Sequence, residues 1–369
     1  MSKIPIECVG DFLKIINEIS KKSNDAQLYF RGQSDASWGI DSSLSRLLND
    51  SDIRPYAADG KSPEWGLKVS RSRLAADLFD SFKDKFVLYS DTKIIKDYVL
   101  NDIDLHVMAQ HYQLPTRVVD ITRNPLISLY FATEKCEEGK DVSVFILKDG
   151  FETISSKLFL KKIQEAKSTY GGFFELIVDY INSNLNFYRD ELIENIKRHE
   201  FIHSSSNGAL FLCGCKMHPV DLRSLCFDWG ADRDDIFLKL KEIAFENGFN
   251  YEQSHASIEI FNNNLQVIEP LPINQRVKNQ QGLLLFSPSI DEPVFSKSFF
   301  SELNTIDGIE MSDQLDQNAA CYKVVISYQF VDAIRKELER YGISRDFIYP
   351  ELQNFTDYMK GKIINKYLN

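Results

Sequence analysis

The segment from His111 to Thr122 sets an imidazole, a guanidinium (Arg117), a carboxylate (Asp120) and a hydroxyl around one short extended stretch. A helix-forming run from Asn124–Pro125 to Phe131–Ala132 follows at once. These groups suit a site that grips an anion and moves a proton: a guanidinium offers a rigid fork of donors, and an imidazole titrates near neutrality. In an extended chain residues two apart share a face, so Asp120 and Thr122 point one way and Arg117 the other. Asp120 is therefore the preferred functional carboxylate, while Arg117 is either a ligand contact or half of a structural ion pair. An earlier segment, Tyr29–Phe30–Arg31–Gly32–Gln33, ends an apolar strand on a second guanidinium. Its glycine admits close approach of backbone or ligand. Arg31 then either holds a phosphate or carboxylate, or pairs with a buried carboxylate such as Asp120. His111 closes a helix just before a proline turn, where it serves as general acid or base, as a ribose or phosphate contact, or simply to orient the turn.

These residues need a framework, and the composition supplies one. The chain of 369 residues is 43% hydrophobic and 26% charged, with 26 Phe and 16 Tyr, which describes a globular protein with an aromatic core. No apolar run reaches the roughly 18 residues that span a bilayer, and the first residues lack the apolar stretch of a secretory signal. A cytoplasmic location without membrane partner is the expectation. The net charge of −11 argues against a broad nucleic-acid surface but leaves room for a local basic pocket. The six Cys do not form a disulfide pattern for a chain of this size and read as small buried hydrophobes.

Helical spacing predicts a helix over 11–21 behind an Asp11 cap, a short helix over 42–48, a long one over 64–89, and another over 102–112 leading into the opening motif. Strands are predicted over 27–32, 117–121 and 142–147, with a helix over 124–134 started by Pro125. Leu126, Leu129, Tyr130 and Phe131 read as core. Residues 151–167, 173–198 and 233–247 are helical and polar, and strands return at 265–269, 283–286 and 322–327 before helices at 329–341 and 351–367. The alternation is too irregular for a doubly wound sheet. The fold class is α+β: a mixed sheet core packed with helices, plus a mainly helical insertion. The organisation reads as an N-terminal helix (1–24), a core in two parts (25–149 and 263–369), and an insertion or subdomain (150–262) available to a protein partner.

Four blocks, in order, resemble the FRG domain family, which is mainly bacterial and named after its Phe–Arg–Gly motif. They are Phe30–Arg31–Gly32–Gln33, Gln110 to Arg117 with Asp120 and Asn124 to Ala132, Arg276 to Gly282, and the tail from Tyr341–Gly342–Ile343 to Tyr349–Pro350–Glu351–Leu352. The order is also similar to that of ADP-ribosyltransferases: an Arg on an early strand, a Thr-containing strand leading into a helix, and a polar pair before an apolar strand. In that comparison Gly282 stands where the transferases carry their catalytic glutamate. The resemblance therefore implies nucleotide binding, with Asp120 the nearest source of a carboxylate.

The predicted pocket comprises His111, Asp120 and Gln281 as catalytic groups and Arg31, Gln33, Arg117, Thr122 and Arg276 as ligand contacts. Arg31 and Arg276 would hold phosphates, His111 and Gln281 a ribose, and Asp120 would stabilise charge or take a proton. The resemblance implies a nucleotide-binding enzyme or toxin-like effector acting on NAD as substrate, in defence against phage. The alternative is a non-catalytic ligand-sensing or protein-interaction module, in which the same polar groups form a closed structural network. A third reading is a zinc hydrolase built on His199–Glu200–Phe201–Ile202–His203, whose histidines fall one helical turn apart. Against it, Ser204–Ser205–Ser206–Asn207–Gly208 ends the helix at once. Cys213 and Cys215, with His218 and Cys226, lack the spacing of a standard zinc finger and favour packing. No metal site is predicted.

Overall fold

The computed structural model describes residues 4–23, 26–49, 63–86, 88, 100–148, 152–184, 190, 193–194, 220–221, 233–252, 255–257, 266–270, 275–286, 303–308, 319–351, 359–360 and 363–364. Helix α1 (Val9–Lys22) leads into strand β1 (Leu28–Gln33), then α2 (Ser43–Leu48), α3 (Pro63–Phe86), α4 (Asp102–His111), β2 (Val118–Thr122), α5 (Pro125–Glu134), β3 (Val142–Lys148), β4 (Glu152–Ser155) and α6 (Ser156–Asn184). There follow β5 (Val220–Asp221), α7 (Arg233–Glu246), β6 (Asn250–Glu252), β7 (His255–Ser257), β8 (Gln266–Glu269), α8 (Gln275–Asn279), β9 (Gly282–Phe286), β10 (Asn304–Ile306), β11 (Cys321–Ile326), α9 (Val331–Arg340) and α10 (Arg345–Ile348).

Among the described residues, eight strands form one mixed sheet in the order β10-β11-β3-β1-β2-β9-β8-β4, and β5-β7-β6 make a small second sheet. The central pairs are antiparallel, while β10–β11 and β4–β8, at the two edges, are parallel. Helices α1, α5 and α9 cover one face, burying Phe12, Ile16, Ile127, Leu129 and Ile334 against Phe30, Val144, Ile146 and Val324. The other face buries Tyr29, Val119, Ile121, Phe145, Leu283 and Leu285. This is an α+β fold.

Local signals explain most boundaries. Asn101 caps α4 through Ile103 and Asp104 N–H while Asp104 reaches back to the Asn101 N–H. Asn124 caps α5 ahead of Pro125. Helix α1 differs from expectation: Asp11 lies inside it, and the Val9 N–H donates instead to Glu337 Oε2 of α9 at 2.8 Å. Of the helices expected at 151–167 and 173–198, the first begins as strand β4, which joins the main sheet, and the break between them is absent, because α6 runs through Gly171–Gly172 to Asn184; most of 185–198 lies outside the described residues. Two glycines cost a helix only about 1 kcal/mol each relative to Ala, which packing overrides. The expected C-terminal helix over 351–367 falls mostly outside the described residues.

Gly32 decides where α5 sits. A Cβ built there would lie 2.0 Å from Ser128 O and 2.6 Å from Ala132 N, both backbone atoms of α5. The close approach that this glycine permits is therefore to a helix, not to a ligand. Gly32→Ala must push α5 off the sheet, and urea denaturation should show a loss of at least about 3 kcal/mol, the upper end of ordinary overpacking. A second expectation concerns His106, buried in α4 and stacked on Phe79 at 3.6 Å, with its Nδ1 donating to Asp102 O at 2.7 Å. Burial pulls its pKa down from 6.5 to about 3. The unfolded chain takes up a proton below pH 6.5 that the folded one refuses, so stability falls as pH drops from 6.5 toward 3. The loss is at most roughly 5 kcal/mol. Denaturation at several pH values should show His106→Phe flattening this slope.

Candidate functional site

Strands β1 and β2 are in register only at Phe30–Thr122, whereas β1 pairs with β3 along its whole length. Where β1 and β2 part, the Arg31 guanidinium crosses the gap and donates from Nη1 to Asp120 O at 2.7 Å. A side chain thus satisfies a carbonyl left by the interrupted ladder. A cleft of about 270 Å³ opens here, lined among others by Arg31, Gln33, His111, Asp120, Thr122, Phe131, Glu134, Arg276, Gln280 and Tyr349.

Six of the eight predicted residues therefore meet around one cavity: Arg31, Gln33, His111, Asp120, Thr122 and Arg276. They divide into open and engaged groups. Gln33 donates to Gly39 O at 2.9 Å. The Thr122 hydroxyl donates to Gln280 O at 2.8 Å and accepts from Asn124 N–H at 3.0 Å. Both are held by the fold and shape the wall. Asp120, by contrast, is 61% exposed, and its carboxylate stands 4.0 Å from Arg31 Nη1. Arg31 is only 21% exposed, and its Nε is buried with no hydrogen-bond partner among the described residues. Burial lowers the Arg31 pKa; Asp120 opposes that shift and nearby Arg46 adds to it. A guanidinium remains charged regardless, so the site holds a poorly compensated cation.

The far wall comes from the C-terminal part of the chain. Arg276 lies over the Tyr349 ring at 4.7 Å and 4.0 Å from Glu351 Oε1, which is 3.9 Å from His111 Nε2. Asn279 and Gln280 donate to Phe347 O at 2.7 Å and Ile348 O at 3.2 Å, tying α8 to the tail. Burial, then Arg276, lower the His111 pKa, with Glu351 opposing, which favours the neutral imidazole.

Two predicted residues lie elsewhere. Arg117 is 0% exposed, outside the cleft lining, with its guanidinium carbon 4.2 Å from the Phe286 ring centroid. The strand alternation that sets it opposite Asp120 carries it into the interior. Gln281 sits on a left-handed turn (φ 46°) with an exposed side chain, and its neighbour Gln280 lines the cleft instead. Residues not predicted include Glu134 and Tyr349, and Phe131, read as core, is only partly buried and faces the cleft. Position 134 ends a helix whose apolar spacing hides its role, while Tyr349 lies in the recognised tail block. His199, His203, Cys213, Cys215, His218 and Cys226 lie outside the described residues; among those described, no group of three or more His, Cys, Asp or Glu is arranged to hold a metal. Cys321 is buried, and Cys8 and Cys136 are partly so.

A family model described as FRG domain matches residues 26–141. The chain carries an FRG domain. No curated protein and no solved structure matches the chain. The FRG domain runs from just before β1 to the residue before β3, and it supplies Arg31, Gln33, His111, Asp120 and Thr122. Arg276, Gln280, Tyr349 and Glu351 come from beyond it, so the cleft is completed by chain outside the matched segment. Among the described residues, no helix is long and apolar enough to cross a membrane.

Substitutions at Gln281 and Arg117 should act on stability rather than on the cleft. Gln281→Gly relieves the left-handed strain and should raise stability by about 1 kcal/mol without changing ligand affinity. Arg117→Ala empties a buried site and should cost about 3 kcal/mol or more. Thermal denaturation together with ligand titration of each variant checks both.

Proposed function

We propose that the cleft binds a phosphate-bearing nucleotide of the NAD type. The observation that carries this reading is Arg31: a mostly buried guanidinium at the cleft wall, with an unpartnered Nε and its nearest carboxylate held off at 4.0 Å. A phosphate in the cleft would meet the exposed part of this guanidinium and supply the close anion that Asp120, at 4.0 Å, does not. Arg276, with its carboxylate also 4.0 Å away, supplies a second positive group on the opposite wall. A closed structural network would show these cations mutually satisfied. Their open pairing around a concave space favours a ligand site over the interaction-module reading.

The geometry also fits chemistry on that ligand. Thr122 is in register with Gly282 and Asp120 with Leu284, so Asp120 lies on the same face two pairs along from Gly282. Asp120 can thus supply the negative charge that Gly282 cannot. In NAD cleavage the bond from ribose to nicotinamide breaks, and its electron pair leaves with nicotinamide. Asp120 would stabilise the ribosyl cation, while water, or a hydroxyl on an acceptor, adds at that carbon and gives its proton to neutral His111. Loss of NAD to such a reaction would arrest a cell, which is how the chain would act as a toxin-like effector against phage.

A thermal-shift titration tests the binding claim. At a hundredfold excess over Kd, NAD or ADP-ribose should stabilise the wild type by about 2.7 kcal/mol, and Arg31→Met, still folding cooperatively, should show no shift. An unchanged midpoint for wild type with every nucleotide would refute the reading. If His111 is the base, the acid limb of any NAD cleavage should lie below pH 6.5, the ordinary histidine value, because its pKa is lowered. Asp120→Asn should abolish turnover while retaining binding.

A further inference from the structure

Glu134, the last residue of α5, lines the same cleft as the two arginines but makes no ion pair with either among the described residues. Its carboxylate is held by two phenols instead: Tyr349 Oη donates to Oε2 at 2.7 Å, and Tyr130 Oη lies 3.5 Å from Oε1. Arg335 of α9 donates to the backbone carbonyls of Thr133 and Glu134, which fixes the helix end that carries it. Burial first, and the charge of Glu134 next, push both phenols above the usual tyrosine value, so they remain donors across the physiological range.

An ionised carboxylate accepts about four hydrogen bonds and donates none. With two phenols in place, Glu134 keeps acceptor capacity at a cleft whose other lining carboxylate, Asp120, stands beside Arg31. It would repel a phosphate and welcome a group rich in donors. The cleft is thus polar in two senses, positive at Arg31 and Arg276 and acceptor-only at Glu134 and at Asp120, which faces Arg31 at 4.0 Å. A ligand that fits both carries phosphate at one part and adjacent hydroxyls at another.

We propose that Glu134 is the acceptor for the hydroxyls of a ribose, which makes the cleft selective for ribonucleotides over their 2′-deoxy counterparts. This rests on the nucleotide reading above and assigns its sugar specificity to a residue outside the Arg31–Asp120 pair. The hydrogen bond from Tyr349 at 2.7 Å is what turns an ordinary glutamate into a specificity determinant, because a carboxylate free to rotate would follow either sugar. A missing hydroxyl leaves the charged acceptor without its partner, a loss that costs roughly tenfold or more in affinity.

The experiment is calorimetric titration of the full chain with NAD and its two 2′-deoxyribose analogues, one modified on the adenosine side and one on the nicotinamide side. The wild type should bind one analogue at least about tenfold more weakly than NAD, and Glu134→Gln should bind that analogue and NAD nearly equally. If NAD binds while both analogues bind as tightly, the ribose assignment is wrong and the nucleotide site stands. If NAD does not bind at all, both fall together. A preference that persists undiminished in Glu134→Gln places the acceptor elsewhere and overturns the proposal. Glu134→Asp, which withdraws the carboxylate by one methylene, serves as second variant should Glu134→Gln fold poorly, and it too should lose the preference.

Discussion

The contact between Gly32 and the backbone of α5 is the constraint on which the cleft depends. With no side chain at position 32, Ser128 and Ala132 come against β1, and α5 is drawn across the sheet beside the point where β1 and β2 part. That placement brings Phe131 and Glu134, at the end of α5, to the cleft that Arg31 enters from the strand. The opposite end of α5 is fixed by Asn124, whose own N–H is held by the Thr122 hydroxyl, which in turn donates to Gln280 O. One chain of hydrogen bonds therefore links the sheet, the helix and the C-terminal wall.

Arg31 is the energetic consequence of that arrangement. The separating strands leave the Asp120 carbonyl without a backbone donor, and the Arg31 guanidinium reaches it at 2.7 Å while remaining mostly buried. Burying a cation with so little compensation is costly. At Arg31 that cost falls at the wall of a cleft, within reach of the ligand proposed above. Arg117 provides the contrast: it is fully buried, packed on Phe286, and takes no part in the cleft.

Much of this was legible in the sequence, for definite reasons. The apolar runs of β3 and α5, and the Asn–Pro start of α5, carry strong local signals that agree with their tertiary setting. Strand alternation separates Asp120 and Thr122 from Arg117, which proved to be the division between cleft and core. What stayed hidden depends on contacts between distant segments. Gln280 replaces Gln281 at the wall because a left-handed turn at 281 rotates the side chains, and nothing in a Gln–Gln pair announces that turn. Glu134 and Tyr349 are 215 positions apart and gain meaning only when the tail packs against α5. Strand β4 is too short for its period to show, and its partner β8 lies more than a hundred residues away. The FRG domain boundary at 141 likewise cuts a cleft whose far wall is built from α8 and the tail.

The most direct test of the account observes Arg31 itself. Arginine Nε–H resonances of the full chain, with the Arg31 signal assigned by its loss in Arg31→Lys, can be followed by nuclear magnetic resonance as ADP-ribose is added. The Arg31 signal should move in a saturable manner as the phosphate settles against its guanidinium, while the Arg117 signal stays in place. An Arg31 signal that does not move at ADP-ribose concentrations saturating the protein would contradict it.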